Sequence, residues 1–418
     1  MKKFSKIVLL MLTVSIILGG TVWGAPKKVT LNALFMKQAG YSEEDITAMS
    51  KEFEKANPNI AVVPNFVAYE SLEQKILTSA TTGGYDVVLI DAPWTAKFAK
   101  AGIVKDVTSK LAAADRKEIF GGALDAVVYQ GKLYGMPWLN DVRYLFYNKK
   151  MLQAAGFNAP PKTYDELLTQ AKALKSKGIV KYPIVASWAQ AEALICDYTS
   201  FSYAFGGGMI SKDGKPQLTA AGNVKALDFM ANSLKEGLTN PKSTEFLEED
   251  VRGTFSSGNA AFALNWTYMY NMAKDPKESK VTEDVGIAIS PGTGKIVSAT
   301  VNGGMGLSIT AGSKNVNEAW KYINYLASKD VQKKYAQNAL PIWKSLFNDK
   351  AVIATNPAVV NVSKVQYDYI VNRPQVPWYG ELSTELQVRI QEVLLGKKTS
   401  AQALKEAQTK AAGLAAKK

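Results

Sequence analysis

Two carboxylates, Asp91 and Asp141, and a set of tryptophans at predicted strand ends are the side chains of this 418-residue chain best placed to do chemistry. Two acids about a cleft can hydrolyse a glycosidic bond. The same acids beside flat aromatic faces can instead hold a ring-shaped solute. The aromatic face takes its C–H surface, and each planar polar group pairs with two hydroxyls. There is no histidine. That removes the commonest general base, the commonest metal ligand and every Ser-His or Cys-His arrangement. The composition therefore points away from an enzyme and calls for no metal and no cofactor. Of the eight tryptophans, Trp23 falls in the leading segment, and Trp320 sits at helical spacing with Ile323. Trp94, Trp138, Trp188, Trp266, Trp343 and Trp378 lie at predicted strand ends or loops. Each reads either as packing, since tryptophan is highly buried on average, or as a solute-facing surface.

The elements that must position these residues follow a strand–helix–strand rhythm. Residues 29–35 alternate and lean towards a strand. Ser42, with Asp45 three residues on, caps a helix striped by Ile46, Met49 and Phe53, and Asn57-Pro58 stops it. Residues 60–63 read as the next strand. Ser71 with Gln74 caps a second helix, which Gly83-Gly84 ends, and 86–90 is a continuous apolar strand of the buried parallel kind. This βαβαβ order predicts an α/β domain with a mostly parallel sheet. Ligands in such sheets sit beyond the carboxyl ends of the strands, which directs attention to the residues after Phe35 and after Ile90. A second α/β stretch begins near Asp141. Thr163 to Glu166 caps a helix through Leu174, 183–186 resembles a strand, and Val224, Leu227, Met230 and Leu234 stripe a further helix. The Ala- and Lys-rich final eighteen residues predict a terminal amphipathic helix prone to fray.

The chain opens with a basic segment (1–6) and an apolar run (7–20), with small residues before a cut after Gly24. Together these make a cleavable secretory signal peptide, because the run is shorter than the roughly 18–20 residues a bilayer span needs. Cys196 is the only cysteine, so the expected mature chain carries neither a lipid at the cut nor an intrachain disulfide. An unlipidated exported chain stays with the cell only behind an outer membrane, which points to the periplasm. Cys196 itself reads as a small buried apolar residue. The formal charge of +13 falls to +10 without the three lysines of the signal. Its basic residues are scattered among acids, with no block of five, so a solvated lysine-rich surface is expected and nucleic acid is not a partner.

Several ordered segments resemble family 1 of the bacterial extracellular solute-binding proteins, the group that includes maltose- and trehalose-binding proteins. Phe53-Glu-Lys-Ala-Asn-Pro-Asn-Ile60 is similar to that family's first helix-to-strand junction, and Tyr85 to Trp94 with Ala101-Gly102 to its second. Gly131-Lys-Leu-Tyr-Gly-Met-Pro137, Asp141 and Tyr147-Asn-Lys149 resemble its crossover. Phe255 to Trp266 resembles its F-x-x-G-x-A-A…W segment, and Gly303-Gly-Met-Gly-Leu307, Ser313-Lys-Asn315 and Trp320 its return. Arg373-Pro374, Pro377 and 396–403 look most like the trehalose/maltose branch. The resemblance implies a two-lobed α/β periplasmic-binding-protein fold with crossing hinge segments and a ligand cleft between lobes. Signal peptide 1–24 would precede lobe I (25–138 and 305–340) and lobe II (139–304 and 341–418). It further implies a monomer that closes on a solute and docks on the ABC permease subunits of the inner membrane.

From strand-end position and from the same resemblance together, the site is expected at Gln38, Asp91, Trp94, Asp141, Trp188, Trp266, Tyr268, Gly303, Gly304 and Arg373. Trp266, with Tyr268 beside it, matches the family's binding-loop aromatic. Asp141 matches a hydroxyl-binding position or forms a structural salt bridge. Arg373 matches an arginine that reaches the sugar, or lies on the surface. Asp91 reads as a ligand contact or a helix N-cap, and Gly303 and Gly304 as backbone donors or hinge residues. Gln38 stands where the branch often carries an acid. Arg143, where relatives usually carry a small or apolar residue, either neutralises Asp141 or reads an anionic group. The function expected is binding of a neutral di- or oligosaccharide for an ABC importer. An anionic solute such as glycerol phosphate or a uronate is the alternative, with a carboxylate-pair glycosidase behind it.

Overall fold

The computed structural model describes residues 28–37, 40–80, 82–211 and 213–417; the proposed signal segment and Gln38 lie outside the described residues. Two sheets organise the chain. The first runs, edge to edge, through Ile60–Val67, Val29–Met36, Val87–Asp91, Met305–Ile309 and Met136–Leu139. Val87–Asp91 and Met305–Ile309 are buried at every position, as expected for strands covered on both faces. The pairings among the first three strands are parallel, whereas Met305–Ile309 pairs antiparallel on both sides. The mostly parallel sheet expected from the βαβαβ rhythm thus holds for that segment alone, because the fourth strand returns from far along the chain.

The second sheet, in the order Val285–Ala288, Tyr144–Asn148, Phe262–Asn265, Ile184–Val185, is antiparallel except at its last pairing. One of its faces is covered by helices Tyr164–Ser176, Glu192–Ala204 and Ala221–Lys235, with Tyr379–Leu394 and Ser400–Ala416 joining the same core. The final helix, expected to fray, docks through Ala403, Leu404, Ala407 and Ala411.

Local signals placed some of the helices. Ser42 and Asp45 form a reciprocal capping box ahead of Glu43–Ala56, and Thr163 caps Tyr164–Ser176. Ser71 does not cap its helix, which begins at Tyr69; its N–H already donates to the Ala68 carbonyl, 3.1 Å away. The helix also ends at Ala80, ahead of Gly83-Gly84.

Three crossings between the halves are knitted into one ribbon. Thr300–Val301 pairs in parallel with Ile370–Val371, and Val142 bridges Asn302. The Gly303 N–H donates to the Asp141 carbonyl at 2.9 Å, and the Asn302 N–H to that of Val371 at 2.8 Å. The 2 % exposed Asn302 side chain donates to the Gly122 carbonyl (2.7 Å) and Asn372 (2.8 Å), and accepts from the Gly304 N–H (2.8 Å). Beyond Leu340 the chain stays beside the first sheet. Ile119 bridges Trp343, and the Phe120 and Phe347 rings meet edge-on at 4.8 Å. The apolar 342–347 stretch, expected in the second half, thus meets residues 119–120 of the first.

Removing the Asn302 amide orphans buried backbone groups on both sides of the ribbon. Asn302→Ala should lower the unfolding free energy by about 2–4 kcal/mol, read by urea titration; a loss below about 0.5 kcal/mol would show that the ribbon does not depend on it.

Candidate functional site

Beyond the carboxyl ends of the first sheet's parallel strands lies a cleft of about 930 Å³, walled on its far side by the second half. Asp91, the last residue of its strand, lies 1 % exposed at the floor. It caps the turn that follows, one of the two roles expected of it. Its Oδ1 accepts from the Ala92 N–H (2.8 Å) as a cap and from Arg373 Nη2 (2.8 Å), while its Oδ2 accepts from the Tyr69 hydroxyl (2.7 Å). Arg373, far from being a surface residue, is 4 % exposed. Its Nη1 reaches Glu192 Oε1 at 2.8 Å, and Glu192 also accepts from the hydroxyls of Tyr379 and Ser383. Trp94 lines the cleft with its ring stacked on Tyr69, centroids 5.3 Å apart.

Asp141 sits where the first crossing opens onto the cleft. Its Oδ1 caps the Val142 N–H (2.9 Å) and takes the N–H (3.3 Å) and hydroxyl of Thr267. Burial pushes its carboxyl up to about 6, against the lowering pull of the Thr267 hydrogen bonds. Trp266 follows the Phe262–Asn265 strand into the cleft, and its indole N–H reaches Glu248 Oε1 at 3.3 Å. Gly303 packs so closely that a Cβ there would lie 2.4 Å from the indole. Only glycine fits. Tyr268 opens the following helix and also lines the cleft; desolvation, then Glu249, holds its phenol far above the usual range.

Seven of the expected residues thus meet in one cleft: Asp91, Trp94, Asp141, Trp266, Tyr268, Gly303 and Arg373. Trp188 does not. It is 1 % exposed in the second core, its indole N–H 3.0 Å from Asp197, because the two-residue strand before it turns its ring inward. Gly304 lies behind the ribbon, its N–H taken by Asn302. Trp138 is packed between Phe35 and Tyr41, Trp343 donates to the Ala327 carbonyl, and Trp378 joins the second core. Arg143 neither pairs with Asp141 nor faces the cleft; Asp197 and Glu248 hold it at 2.6 Å each. Cys196 is buried in the cleft wall, and burial lifts its thiol to about 12, which leaves it protonated at neutral pH.

Tyr69, Glu192 and Glu248 were not legible as site residues. Each stands in or near the first turn of a helix, where a tyrosine or acid reads as ordinary helix chemistry. Among the described residues, nine carboxylate side chains line the cleft against two cations, Lys37 and Arg373, in a chain whose overall charge is +13.

The model of the bacterial extracellular solute-binding proteins matches residues 24–333. The chain belongs to that family. A "Probable ABC transporter-binding protein" of Deinococcus radiodurans is 30% identical over 338 residues, covering 78% of this chain and 79% of that protein. Maltose-bound T. maritima MalE3 superposes on this solute-binding protein with a TM-score of 0.84 at 28% identity, covering 92% of this chain and 100% of that one. The ribitol complex of an ABC transporter solute-binding protein from Agrobacterium radiobacter K84 gives 0.82 at 26% identity, with 94% and 100% covered. The two halves are therefore the lobes of a maltose-binding-type fold. Solute-binding proteins are not enzymes, which sets aside the hydrolytic reading of Asp91 and Asp141. The ion pair and capping bond already engage Asp91.

Asp141 also gives the site a pH signature. Its folded value near 6 lies above the ordinary 3.8, so between those values the folded chain holds the extra proton and stability falls as pH rises. Asp141→Asn should flatten that slope, removing a change of about 1–3 kcal/mol. Urea midpoints measured from pH 4 to pH 7 test this, and an unaltered slope would contradict it.

Proposed function

We propose that this solute-binding protein captures a neutral di- or oligosaccharide, or a related polyol, between its lobes for an ABC importer. The observation that carries the reading is the pairing of cleft aromatics, Trp266 above all, with a floor of hydrogen-bond acceptors, Asp91, Asp141, Glu192 and Glu248. Carboxylates accept from hydroxyls, and an indole face covers the apolar C–H side of a sugar ring. A cleft of about 930 Å³ is at the upper end of the roughly 300–1,000 Å³ common for small-molecule sites, which suits more than one sugar ring. The maltose and ribitol complexes of its structural relatives point to the same chemical class.

The nine-to-two excess of carboxylates over cations at the cleft disfavours an anionic solute such as glycerol phosphate or a uronate. Arg143, the residue set out above as a reader of such a group, is occupied by its own acids. On this reading residues 25–138 and 305–348 form lobe I, and 139–304 with the remaining C-terminal segment forms lobe II. The mature chain is an unlipidated periplasmic monomer that, once closed, hands its solute to the permease subunits of the inner membrane.

Solute released by denaturing freshly purified protein and weighed by mass spectrometry should be a neutral sugar or polyol. That compound, added back, should raise the melting temperature. Trp266→Ala should weaken its binding by about 10- to 100-fold, the worth of an aromatic contact of roughly 1.5–3 kcal/mol. Recovery of a phosphorylated or uronate solute, or an unaffected Trp266→Ala variant, would sink the reading.

A further inference from the structure

Arg143 is a charged side chain that the binding reading leaves without a task. It lies 1 % exposed at the start of the Tyr144–Asn148 strand, behind the cleft wall. A guanidinium buried to that degree is destabilising unless its hydrogen bonds are met by acids. Here Nη1 donates to Asp197 (2.6 Å) and Ser187 (3.0 Å), and Nη2 donates to Glu248 (2.6 Å). Those partners place the guanidinium carbon 4.7 Å from the centroid of the Trp266 ring. The same Glu248 Oε1 that receives Arg143 also receives the Trp266 indole N–H at 3.3 Å. A third constraint comes from Gly303, where a Cβ would lie 2.4 Å from the six-membered ring of the indole.

We infer that Arg143 is a positioning residue for solute binding, holding Trp266 from behind so that one face of the indole is presented ready-made to the cleft. This rests on the reading of Trp266 as the stacking surface. The arginine covers one ring face, Glu248 fixes the N–H edge and the close approach of Gly303 confines the six-membered ring. The indole lines the cleft. A cation over an indole face is attractive, more so when desolvated, and the planar fork lets Arg143 bridge two acids while lying along the ring. The consequence for binding is preorganisation. The ordering of a large side chain is met during folding, so it does not weaken capture. Trp188 enters as well, since its indole N–H holds the other oxygen of Asp197 at 3.0 Å. The tryptophan expected in the site thus supports it from two residues away.

The test is fluorine NMR of protein labelled with 5-fluorotryptophan and freed of solute, with the Trp266 line assigned from Trp266→Phe. The variant is Arg143→Met combined with Asp197→Asn, which removes the buried pair together and leaves no uncompensated acid at position 197. Wild type should show a narrow Trp266 line displaced from the free-tryptophan position. In the double variant that line should broaden and move towards it, while the Trp94 and Trp343 lines stay in place. A Trp266 line unchanged in the double variant would overturn the proposal. Should the double variant fail to fold, Arg143→Lys decides. It keeps the charge but lacks the fork, so a Trp266 line still as narrow as in wild type would overturn the proposal equally. Maltose and ribitol titrations supply a second readout, with binding expected to be about three- to tenfold weaker in the variant. If wild type binds neither compound, the sugar reading is in difficulty, yet the Trp266 line still judges Arg143.

Discussion

One guanidinium holds the floor of the cleft together. Arg373 lies between Asp91, at the end of a strand in the first lobe, and Glu192, at the start of a helix in the second. It arrives on the segment that follows the Ile370–Val371 strand, itself part of the ribbon joining the lobes. With both its acids at 2.8 Å and almost no exposure, the arginine cannot be left unpaired without a cost of several kcal/mol. Strand end, helix start and crossing segment must therefore come to one point. Tyr69 and Tyr379 reach the same two carboxylates from either side, and Trp94 stacks on Tyr69. The position of an aromatic wall follows from the demands of a buried charge.

A second arginine repeats the arrangement one layer deeper. Arg143 takes Asp197 from the same helix that supplies Glu192, and Glu248 from the helix that begins beside the cleft. Each triad carries one more acid than base. Two such triads, with Asp141 nearby, make the cleft acceptor-rich in a protein whose charge as a whole is +13. The lysine excess lies elsewhere, on the solvated surface. Net charge thus says little about the cleft, because the charge a solute meets there is the one lining it.

The sequence was most readable where the signal is local. The strand expected at 86–90, found one residue on at Val87–Asp91, and the capping box at Ser42, which stands as expected, both depend on neighbouring residues. The family motifs carried the reading from there to Asp141, Trp266 and Arg373. What stayed hidden depends on partners distant along the chain. Arg143 meets acids 54 and 105 residues away, and Arg373 meets Glu192 at a separation of 181. No periodicity or spacing reports such pairs. Trp188 failed for a related reason, since a tryptophan after a short strand looks the same whether the chain turns it inward or outward. Ser71 failed locally. It resembles a cap, but the helix had already begun at Tyr69.

The central claim is that an acceptor-rich, aromatic-walled cleft selects uncharged, hydroxyl-bearing solutes. Its most direct measurement is calorimetric titration with neutral sugars and polyols matched to their phosphate or uronate counterparts, at low and high salt. Binding of a neutral member, with an affinity that salt leaves nearly unchanged, and silence from its charged counterpart are expected. Binding confined to the anionic members and weakened by salt would contradict it.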